Sequence, residues 1–260
     1  MTKKILELEE VSFSYGQNLV LDKCSSEVEA QTTTAILGGN GQGKTTLMKC
    51  ILKQNTLKSG RILLDEKDVS GYSEREYAQK VSYVPQLNSL VNDCVVRDYI
   101  VEGRTPYLQG FSLPKKQDYL IGESYAEKLG VQHFLGKHLS QLSGGELQMV
   151  MIARALVQET PVILMDEPLS ALDMKNQYEV LTTIKGLEQE GKTILFTTHN
   201  PNHAIALNCM VWVLDHSAIV YNGRTDDVIT EEMLQQIFDS NIILRNGDGW
   251  KCCSFTNIDG

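Results

Sequence analysis

The sequence lacks the features that mark membrane-spanning and nucleic-acid-binding chains. No stretch approaches the ~18 apolar residues that span a bilayer, and the opening MTKKILELEE has no apolar run of signal-peptide length. Repeats, coiled-coil heptads and low-complexity tracts are also missing. Basic residues are outnumbered, since 24 Lys and Arg face 33 Asp and Glu for a net charge of -9. We therefore expect a globular protein that does not bind nucleic acid and that reaches a membrane only through a partner.

The six cysteines show no CxxC spacing and lie mostly inside apolar segments. This pattern favours reduced thiols packed as small core residues in a cytosolic protein. Only the adjacent pair Cys252 and Cys253 invites a redox or metal-binding interpretation.

Short apolar strands alternate with helical segments along the 260 residues, of which 42% are hydrophobic. The alternation is typical of an α/β protein with a mostly parallel sheet. Strand signals stop between about residues 87 and 160, which predicts a helical insertion. The expected strands cover 32–37, 162–165, 193–198, 211–214 and 218–221, and the expected helices cover 44–53, 95–102, 115–129, 143–158 and 173–189.

The strongest chemical signal is GGNGQGKTT at 38–46, which lies between a predicted strand and a predicted helix. It fits the pattern G-x-x-x-x-G-K-[ST], in which inward-facing N–H groups hold phosphates. Lys44 would reach the β- and γ-phosphates, and the Thr45 hydroxyl would coordinate Mg²⁺. An ordinary glycine-rich turn is the structural alternative. The predicted nucleotide-binding residues of this loop are Gly38, Asn40, Gly41, Gly43, Lys44, Thr45 and Thr46.

Two carboxylates, Asp166 and Glu167, end the predicted strand in VILMDE. At the carboxyl end of a strand, Asp166 is placed to hold Mg²⁺ through its water shell. Glu167 is then the candidate general base that activates the attacking water. Without the phosphate loop, a solvated acidic strand end would explain the same two residues equally well.

His199 and His203 are four residues apart, a spacing that can bind zinc on one helix face. Asn200 and Pro201 argue against that, because they suit the N-cap and the first position of a helix. His199 is therefore predicted at the tip of the strand, and His203 in the following helix.

The stretch LSGGE at 142–146 resembles an ordinary helix start with two surplus glycines. Ser143 and Glu146 predict a capping box, which needs neither glycine. Each glycine costs roughly 1 kcal/mol against Ala in a helical turn, yet it clears side chains from the positive end of the helix. The pattern predicts an anion at this position.

Six motifs occur in order: FSYG with Tyr15, the phosphate loop, YVPQ with Gln86, LSGGE, ILMDEP with SALD at 170–173, and TTHN with His199. Over about residues 4–240 the chain resembles the ATP-binding subunit of ABC transporters. The resemblance implies a P-loop NTPase core of mostly parallel sheet, an N-terminal antiparallel β part and a helical subdomain near 87–160. Residues 1–240 would form this domain, and 241–260 a C-terminal extension that could add a small sheet.

The resemblance also implies roles for single residues. Tyr15 would stack on adenine, His199 would bind the γ-phosphate, and Gln86 would contact Mg²⁺ and the attacking water. Ser143, Gly144 and Gly145 would cap the γ-phosphate held by a second chain, with Asp173 near that interface. The anion expected at LSGGE would then be ATP bound by a partner.

The implied assembly is a homodimer that sandwiches two ATP molecules, bound to membrane permease subunits at the cytoplasmic face of the cell membrane and served by a substrate-binding protein. GRTPYL at 103–108 and TTHNPNHA at 197–204 resemble importer subunits for iron siderophores, haem or cobalamin. Importers of another metal or an oxyanion stay open, and Thr105-Pro106 is also an ordinary turn start.

Other classes of nucleotide-binding protein fit the sequence less well. A soluble ABC ATPase of DNA repair or translation is the main rival, but such proteins usually carry a long coiled coil or two cassettes. A GTPase would need N-K-x-D, which is missing, and a nucleotide kinase would not need LSGGE.

Overall fold

A computed structural model of the protein describes residues 3–87, 93–110, 112–238, 242–247 and 250–255. Its strands are β1 (Lys4–Tyr15), β2 (Asn18–Glu29), β3 (Thr33–Leu37), β4 (Ser59–Leu64), β5 (Lys67–Asp68), β6 (Val81–Val84), β7 (Val162–Met165), β8 (Thr193–Thr198), β9 (Met210–Asp215), β10 (Ala218–Arg224), β11 (Ile242–Gly247) and β12 (Trp250–Phe255). Its α-helices are α1 (Lys44–Ile51), α2 (Glu74–Ala78), α3 (Val96–Val101), α4 (Lys116–Lys128), α5 (Gly144–Leu156), α6 (Met174–Gln189), α7 (Pro201–Leu207), α8 (Thr225–Val228) and α9 (Glu231–Phe238).

The chain divides into two compact units. The first comprises Met1–Gly71 and Leu195–Gly260, and the second comprises Tyr72–Ile194. The second unit is wider than the helical insertion expected at 87–160. The bounds predicted from the sequence remain predictions, and parts of them (1–2, 88–92, 111, 239–241, 248–249 and 256–260) lie outside the described residues.

The N-terminal part of the first unit is a four-stranded antiparallel sheet with strand order β2-β1-β4-β5. In the first half of β1 the buried side chains alternate, at Leu6 and Leu8, as a sheet with one covered face requires, whereas Val11, Ser12 and Phe13 are buried in succession. The pairing of β1 with β4 shifts between Glu9 and Ser12, where Glu10 has a φ of 47°. The expected antiparallel β part is therefore present.

The rest of the first unit contains the predicted parallel sheet. Strand β3 pairs in parallel with β9, which pairs antiparallel with β10, and the strand order is β10-β9-β3-β8. All five residues of β3 are buried, since helices or other layers cover both faces of a parallel sheet. The carboxyl end of β3 leads directly into the phosphate loop, and α1 follows it.

In the second unit, β6 pairs in parallel with β7 from Val81 and Val162 to Val84 and Met165. Within the described residues between these two strands, the assigned elements are helical, apart from one isolated bridge between Val95 and His138. The prediction that the segment between these strands is helical is therefore confirmed. Helix α3 ends at Val101, and a 3₁₀ helix (Glu102–Tyr107) replaces the last residue expected in it.

Strands β11 and β12 form an antiparallel hairpin at the C-terminal end of the described chain. Within the hairpin, burial raises the pKa of Cys253 to about 11, with a smaller contribution from Cys252. A thiol with this pKa stays protonated near neutral pH and is a poor nucleophile. Neither cysteine forms a disulfide, and the other four, all within the described residues, form none either.

Among the residues that the structure describes, no helix has both the length and the apolar character needed to cross a bilayer.

Candidate nucleotide-binding site

The phosphate loop occupies 38–43, between the carboxyl end of β3 and the first turn of α1. The Lys44 ammonium donates hydrogen bonds to the carbonyl oxygens of Gly38 and Gly39, each at 2.9 Å. Its side chain is buried within the loop it closes. A buried ammonium costs free energy unless acceptors surround it, so the loop holds a positive charge at the point where phosphate oxygens are expected.

Glycines shape this loop for two different reasons. Gly43 precedes α1 with a φ of 96°, a left-handed conformation that glycine adopts without steric cost, and it has no side chain to cap the helix. At Gly38, a Cβ atom would lie 2.4 Å from the carbonyl oxygen of Leu214 on β9. The backbones of β3 and β9 therefore approach more closely than any side chain would allow.

Tyr15 ends β1 with half of its surface exposed. Its ring packs edge-on against the buried ring of Phe13, with centroids 4.8 Å apart. Its hydroxyl accepts a hydrogen bond of 3.4 Å from the Asn55 amide. These contacts orient a large aromatic face toward solvent, as stacking on a base requires.

His199 lies at the exposed tip of β8, directly after six buried residues. Helix α7 begins at Pro201, and the Asn200 side chain caps it by accepting from the Asn202 N–H. The predicted separation of His199 from His203 is therefore confirmed. Among the described residues, no group of three or more His, Cys, Asp or Glu side chains is placed to bind a metal ion.

His203 is buried beneath the segment that carries His199. Its Nδ1 lies 2.8 Å from the Thr198 hydroxyl, and its Nε2 lies 3.4 Å from the Asn200 amide nitrogen. Burial, and then the neighbouring His199, lower the pKa of His203 to about 4. A neutral imidazole therefore joins the residues on both sides of His199 at physiological pH.

In the second unit, Asp166 and Glu167 follow β7, and Gln86 follows β6. Because parallel strands end at the same edge of a sheet, these three residues lie at one edge. Asp166 is almost fully buried and accepts a hydrogen bond of 3.4 Å from the Tyr83 hydroxyl. Burial, and then the Asp166 carboxylate, raise the pKa of Tyr83, so that its hydroxyl remains a donor.

Glu167 has a φ of 45°, which is uncommon for a residue with a Cβ atom. Its carbonyl oxygen accepts from the Ser170 N–H at 3.0 Å, which closes a tight turn after β7. Such strained backbone is typical of functional positions.

The predicted capping box at α5 is present. The Glu146 carboxylate accepts from the Ser143 N–H at 2.7 Å, and the Ser143 hydroxyl accepts from the Glu146 N–H at 3.4 Å. The hydrogen bonds from Ser143, first that from its backbone N–H, hold the pKa of Glu146 below its ordinary value. The hydrogen bonds of the Glu146 carboxylate therefore stabilise the first turn of α5.

Gly144 and Gly145, the two glycines of LSGGE, differ in their surroundings. A Cβ atom on Gly145 would lie 2.2 Å from the side chain of Asn176 on α6, whereas one on Gly144 would make only ordinary contact with Leu87 at 3.4 Å. Gly145 thus has a packing role that the sequence did not indicate. Gly144 is exposed at the helix start and has no comparable packing need.

Ser143, Gly145 and Asp173 line one pocket of about 570 Å³ in the second unit. Asp173 caps α6, because its carboxylate accepts from the Asn176 N–H at 2.8 Å. The N-terminal ends of α5 and α6 therefore border the same pocket, and two helix dipoles favour an anion there. Sequence reasoning missed other lining residues, which carry no motif: His133, Phe134, Lys175, Asn176 and Glu179.

The stretch GRTPYL forms the 3₁₀ helix after α3, and its contacts are internal. The buried Arg104 guanidinium donates to the Val157 carbonyl at 2.7 Å and to Glu159 at 2.6 Å, and it stacks on the Tyr107 ring at 4.1 Å. The Tyr107 hydroxyl donates to the Gln158 carbonyl at 2.8 Å. These contacts secure the C-terminal end of α5, so the physical role of this stretch is packing.

The predicted residues are divided between the two units. Within the first unit are Tyr15, the phosphate loop and His199, and within the second are Gln86, Ser143, Gly144, Gly145, Asp166, Glu167 and Asp173. In addition, Tyr83 contacts the predicted site residue Asp166, and His203 contacts Thr198 and Asn200 on either side of His199. Tyr83 lies in YVPQ and His203 in TTHNPNHA, but neither stretch indicated a role for them.

Comparisons with known proteins agree with these observations. The model of the family described as ABC transporter matches residues 21–170. A Helicobacter pylori protein assigned as an iron chelatin transport ATP-binding protein is 34% identical, over 91% of this chain and 93% of its own. The molybdate import ATP-binding protein of Haemophilus influenzae is 32% identical, over 90% of this chain and 88% of its own.

A solved structure assigned as an inward-facing metal-chelate-type ABC transporter superposes with a TM-score of 0.84 at 29% identity, covering 98% of this chain and 97% of its own. The family match covers more than half of the chain, and both relatives align over nearly all of it. The chain therefore belongs to the ABC transporter family, as an ATP-binding subunit that hydrolyses ATP to drive transport.

Proposed function

We propose that two copies of this chain bind two ATP molecules between them and energise an importer in the membrane. The observation that carries this proposal is the pocket at Ser143, Gly145 and Asp173, where two helix N-termini offer an anion site. In a head-to-tail pair, the phosphate loop of one chain would present its γ-phosphate to this pocket of the other. ATP would then join the chains, and hydrolysis would release them.

Binding of the nucleotide falls to residues of the first unit. Tyr15 stacks its exposed ring on adenine, and the N–H groups of the phosphate loop surround the phosphates. Lys44 already lies within the loop and shifts its hydrogen bonds from Gly38 and Gly39 toward phosphate oxygens. His199, at an exposed strand tip, contacts the γ-phosphate.

The attacking water is prepared by residues of the second unit. Glu167 accepts its proton, while Gln86 orients it from the same edge of the sheet. The residues of this edge also suit Mg²⁺, because Asp166 is a buried carboxylate and carboxylate oxygens are ligands that Mg²⁺ prefers. Thr45, Gln86 and Asp166 would hold the metal, which neutralises phosphate charge when bound.

The transported substrate is proposed to be an iron siderophore, haem or cobalamin complex. Support comes from the iron chelatin transport relative and from the metal-chelate-type transporter structure. The chain itself would contact permease subunits at the cytoplasmic face of the membrane, and a substrate-binding protein would deliver the ligand to the permease. Oxyanion import is the second candidate, since the molybdate import relative is nearly as similar.

Mixing two inactive variants tests the composite site. Lys44→Ala disables the phosphate loop, and Ser143→Arg blocks the pocket that Ser143, Gly145 and Asp173 line. A mixed dimer retains one intact site, so ATP-dependent dimerisation should partly return when it is followed by size-exclusion chromatography with light scattering. Ser140→Arg, at an exposed serine three residues before Ser143, is the matched control and should dimerise normally. If mixing restores nothing, Ser143 does not act on a partner's nucleotide.

Uptake measurements test the substrate class. After deletion of this subunit, transport of labelled iron siderophore, haem, cobalamin and molybdate is measured separately. Loss of the iron siderophore, haem or cobalamin signal supports chelate import, and loss of molybdate uptake alone assigns the oxyanion class. Unchanged uptake of all four contradicts both assignments.

A further inference from the structure

The C-terminal hairpin is joined to the helix that follows His199 through one side chain. The Asn202 amide nitrogen donates to the Cys253 carbonyl at 3.1 Å, and its oxygen accepts from the Cys253 N–H at 2.7 Å. One amide thus satisfies both backbone groups of a single strand residue, as a neighbouring strand would. This geometry fixes the direction of the side chain as well as its distance.

Asn202 is also part of the first turn of α7. Its own N–H donates to the Asn200 side chain at 3.0 Å, and the Asn200 N–H donates to the Thr198 hydroxyl at 3.0 Å. His199 lies between Thr198 and Asn200. A shift of Asn202 therefore reaches His199 through two successive hydrogen bonds.

The hairpin is held at other points, so it provides a firm support. The Leu244 N–H donates to the Glu231 carboxylate at 2.7 Å, and the Lys251 ammonium lies 3.6 Å from Asp226. Ile242 is buried, and its carbonyl accepts from the Gln235 amide at 3.3 Å. Two helices and the start of α7 thus hold β11 and β12.

One pocket of about 420 Å³ connects the two regions, because His199 and the hairpin both line it. On the hairpin side the lining includes Ile242 and Cys253, and Phe238 completes the apolar wall. His199 therefore borders open space on the hairpin side, and Asn202, which lines the same pocket, links the segment of His199 to the hairpin.

We propose that Asn202, held by the hairpin at Cys253, is a positioning residue that orients His199 for ATP hydrolysis. This inference rests on the proposed role of His199 at the γ-phosphate. The hairpin of β11 and β12 then contributes to ATP hydrolysis, because it holds the first turn of α7 so that the imidazole meets the nucleotide in one direction.

A double-mutant cycle tests the inference, with Asn202→Ala, a chain ending at residue 240, and the two changes combined. Loss of the two hydrogen bonds should lower kcat for ATP roughly three- to tenfold in either single variant. Affinity for a non-hydrolysable ATP analogue should change less than about twofold, because the phosphate loop and Tyr15 are intact. The combined variant should match the truncated chain, since Asn202 has already lost its partner there.

Arg245→Ala is the matched control within the hairpin, because the Arg245 side chain bonds to Ser254 of the hairpin itself. It should leave kcat unchanged. If Asn202→Ala and the truncation leave kcat unchanged, or if their effects multiply in the combined variant, the positioning role is refuted.

His199→Ala in the same assay separates the two proposals. A fall in kcat for His199→Ala without any for Asn202→Ala refutes only the role of the hairpin. Normal hydrolysis by His199→Ala refutes the proposed role of His199 itself. Thermal melting of each variant identifies losses that come from unfolding, and Asn202→Ala alone decides the question if the truncated chain does not fold.

Discussion

Protonation of His203 should weaken the folded state as the pH falls. The imidazole is buried, its Nδ1 lies 2.8 Å from the Thr198 hydroxyl, and its folded pKa is about 4 against an ordinary value of 6.5. The pKa is lowered on folding, so the unfolded chain binds the proton more tightly. The stabilisation is therefore complete above pH 6.5 and is lost as the pH falls toward 4.

The size of the effect follows from the two pKa values. A difference of about 2.5 units corresponds to roughly 3 kcal/mol when the group is fully protonated, at ~1.36 kcal/mol per unit. At pH 5 the unfolded imidazole is almost fully charged while the folded one is not, which gives about 2 kcal/mol. At pH 7 the same term is only about 0.2 kcal/mol.

Urea unfolding at pH 5 and pH 7 measures this term, and the buried Trp212 provides a fluorescence signal from the same unit. His203→Asn is the comparison, since asparagine keeps a hydrogen-bonding group near the position of Nδ1 and cannot titrate. Wild type should lose about 2 kcal/mol more than His203→Asn between the two pH values. Equal losses in both proteins would refute a neutral buried His203.

Three further predictions follow from the site and from the fold. Glu167→Gln should bind ATP normally but hydrolyse it at least ~10²-fold more slowly and accumulate an ATP-bound dimer on size exclusion; near-normal turnover would contradict the general-base role. Gly38→Ala should destabilise the protein by about 1–3 kcal/mol in thermal melts, because its Cβ meets the Leu214 carbonyl, whereas Gly39→Ala meets only Gln42 at 3.7 Å and should be tolerated. Arg104→Met should cost about 2 kcal/mol through lost charged hydrogen bonds, and equal melting temperatures for variant and wild type would exclude that packing role.

Local patterns allowed much of the fold and of the candidate site to be predicted. The glycine loop before α1 is contiguous in the chain, and its hydrogen bonds from Lys44 to Gly38 span six residues. The capping box at Ser143 and Glu146 spans three. In such short segments, side-chain chemistry and backbone preference act within one turn, so the sequence carries the relevant physics.

The division of the chain was harder to predict. The helical character of the segment after Gln86 is visible in its periodicity, but the second compact unit extends over Tyr72–Ile194 and includes the strands β6 and β7. Unit boundaries depend on which elements pack together, and strand pairing between Val84 and Met165 is not a property of either segment alone.

The sequence by itself determined the chemistry of this protein: a phosphate loop, a pair of carboxylates after an apolar strand, a helix start cleared for an anion, and a histidine at a strand tip. Only the tertiary structure decided which side chains support those groups. Asn202 and Cys253 are 51 residues apart, and Arg104 and Val157 are 53 apart. Position 145 likewise requires glycine, because the side chain of Asn176 from another helix occupies the space that a Cβ atom would need. Such contacts depend on how distant elements pack, and packing selects shape and hydrogen-bonding partners that no local pattern records.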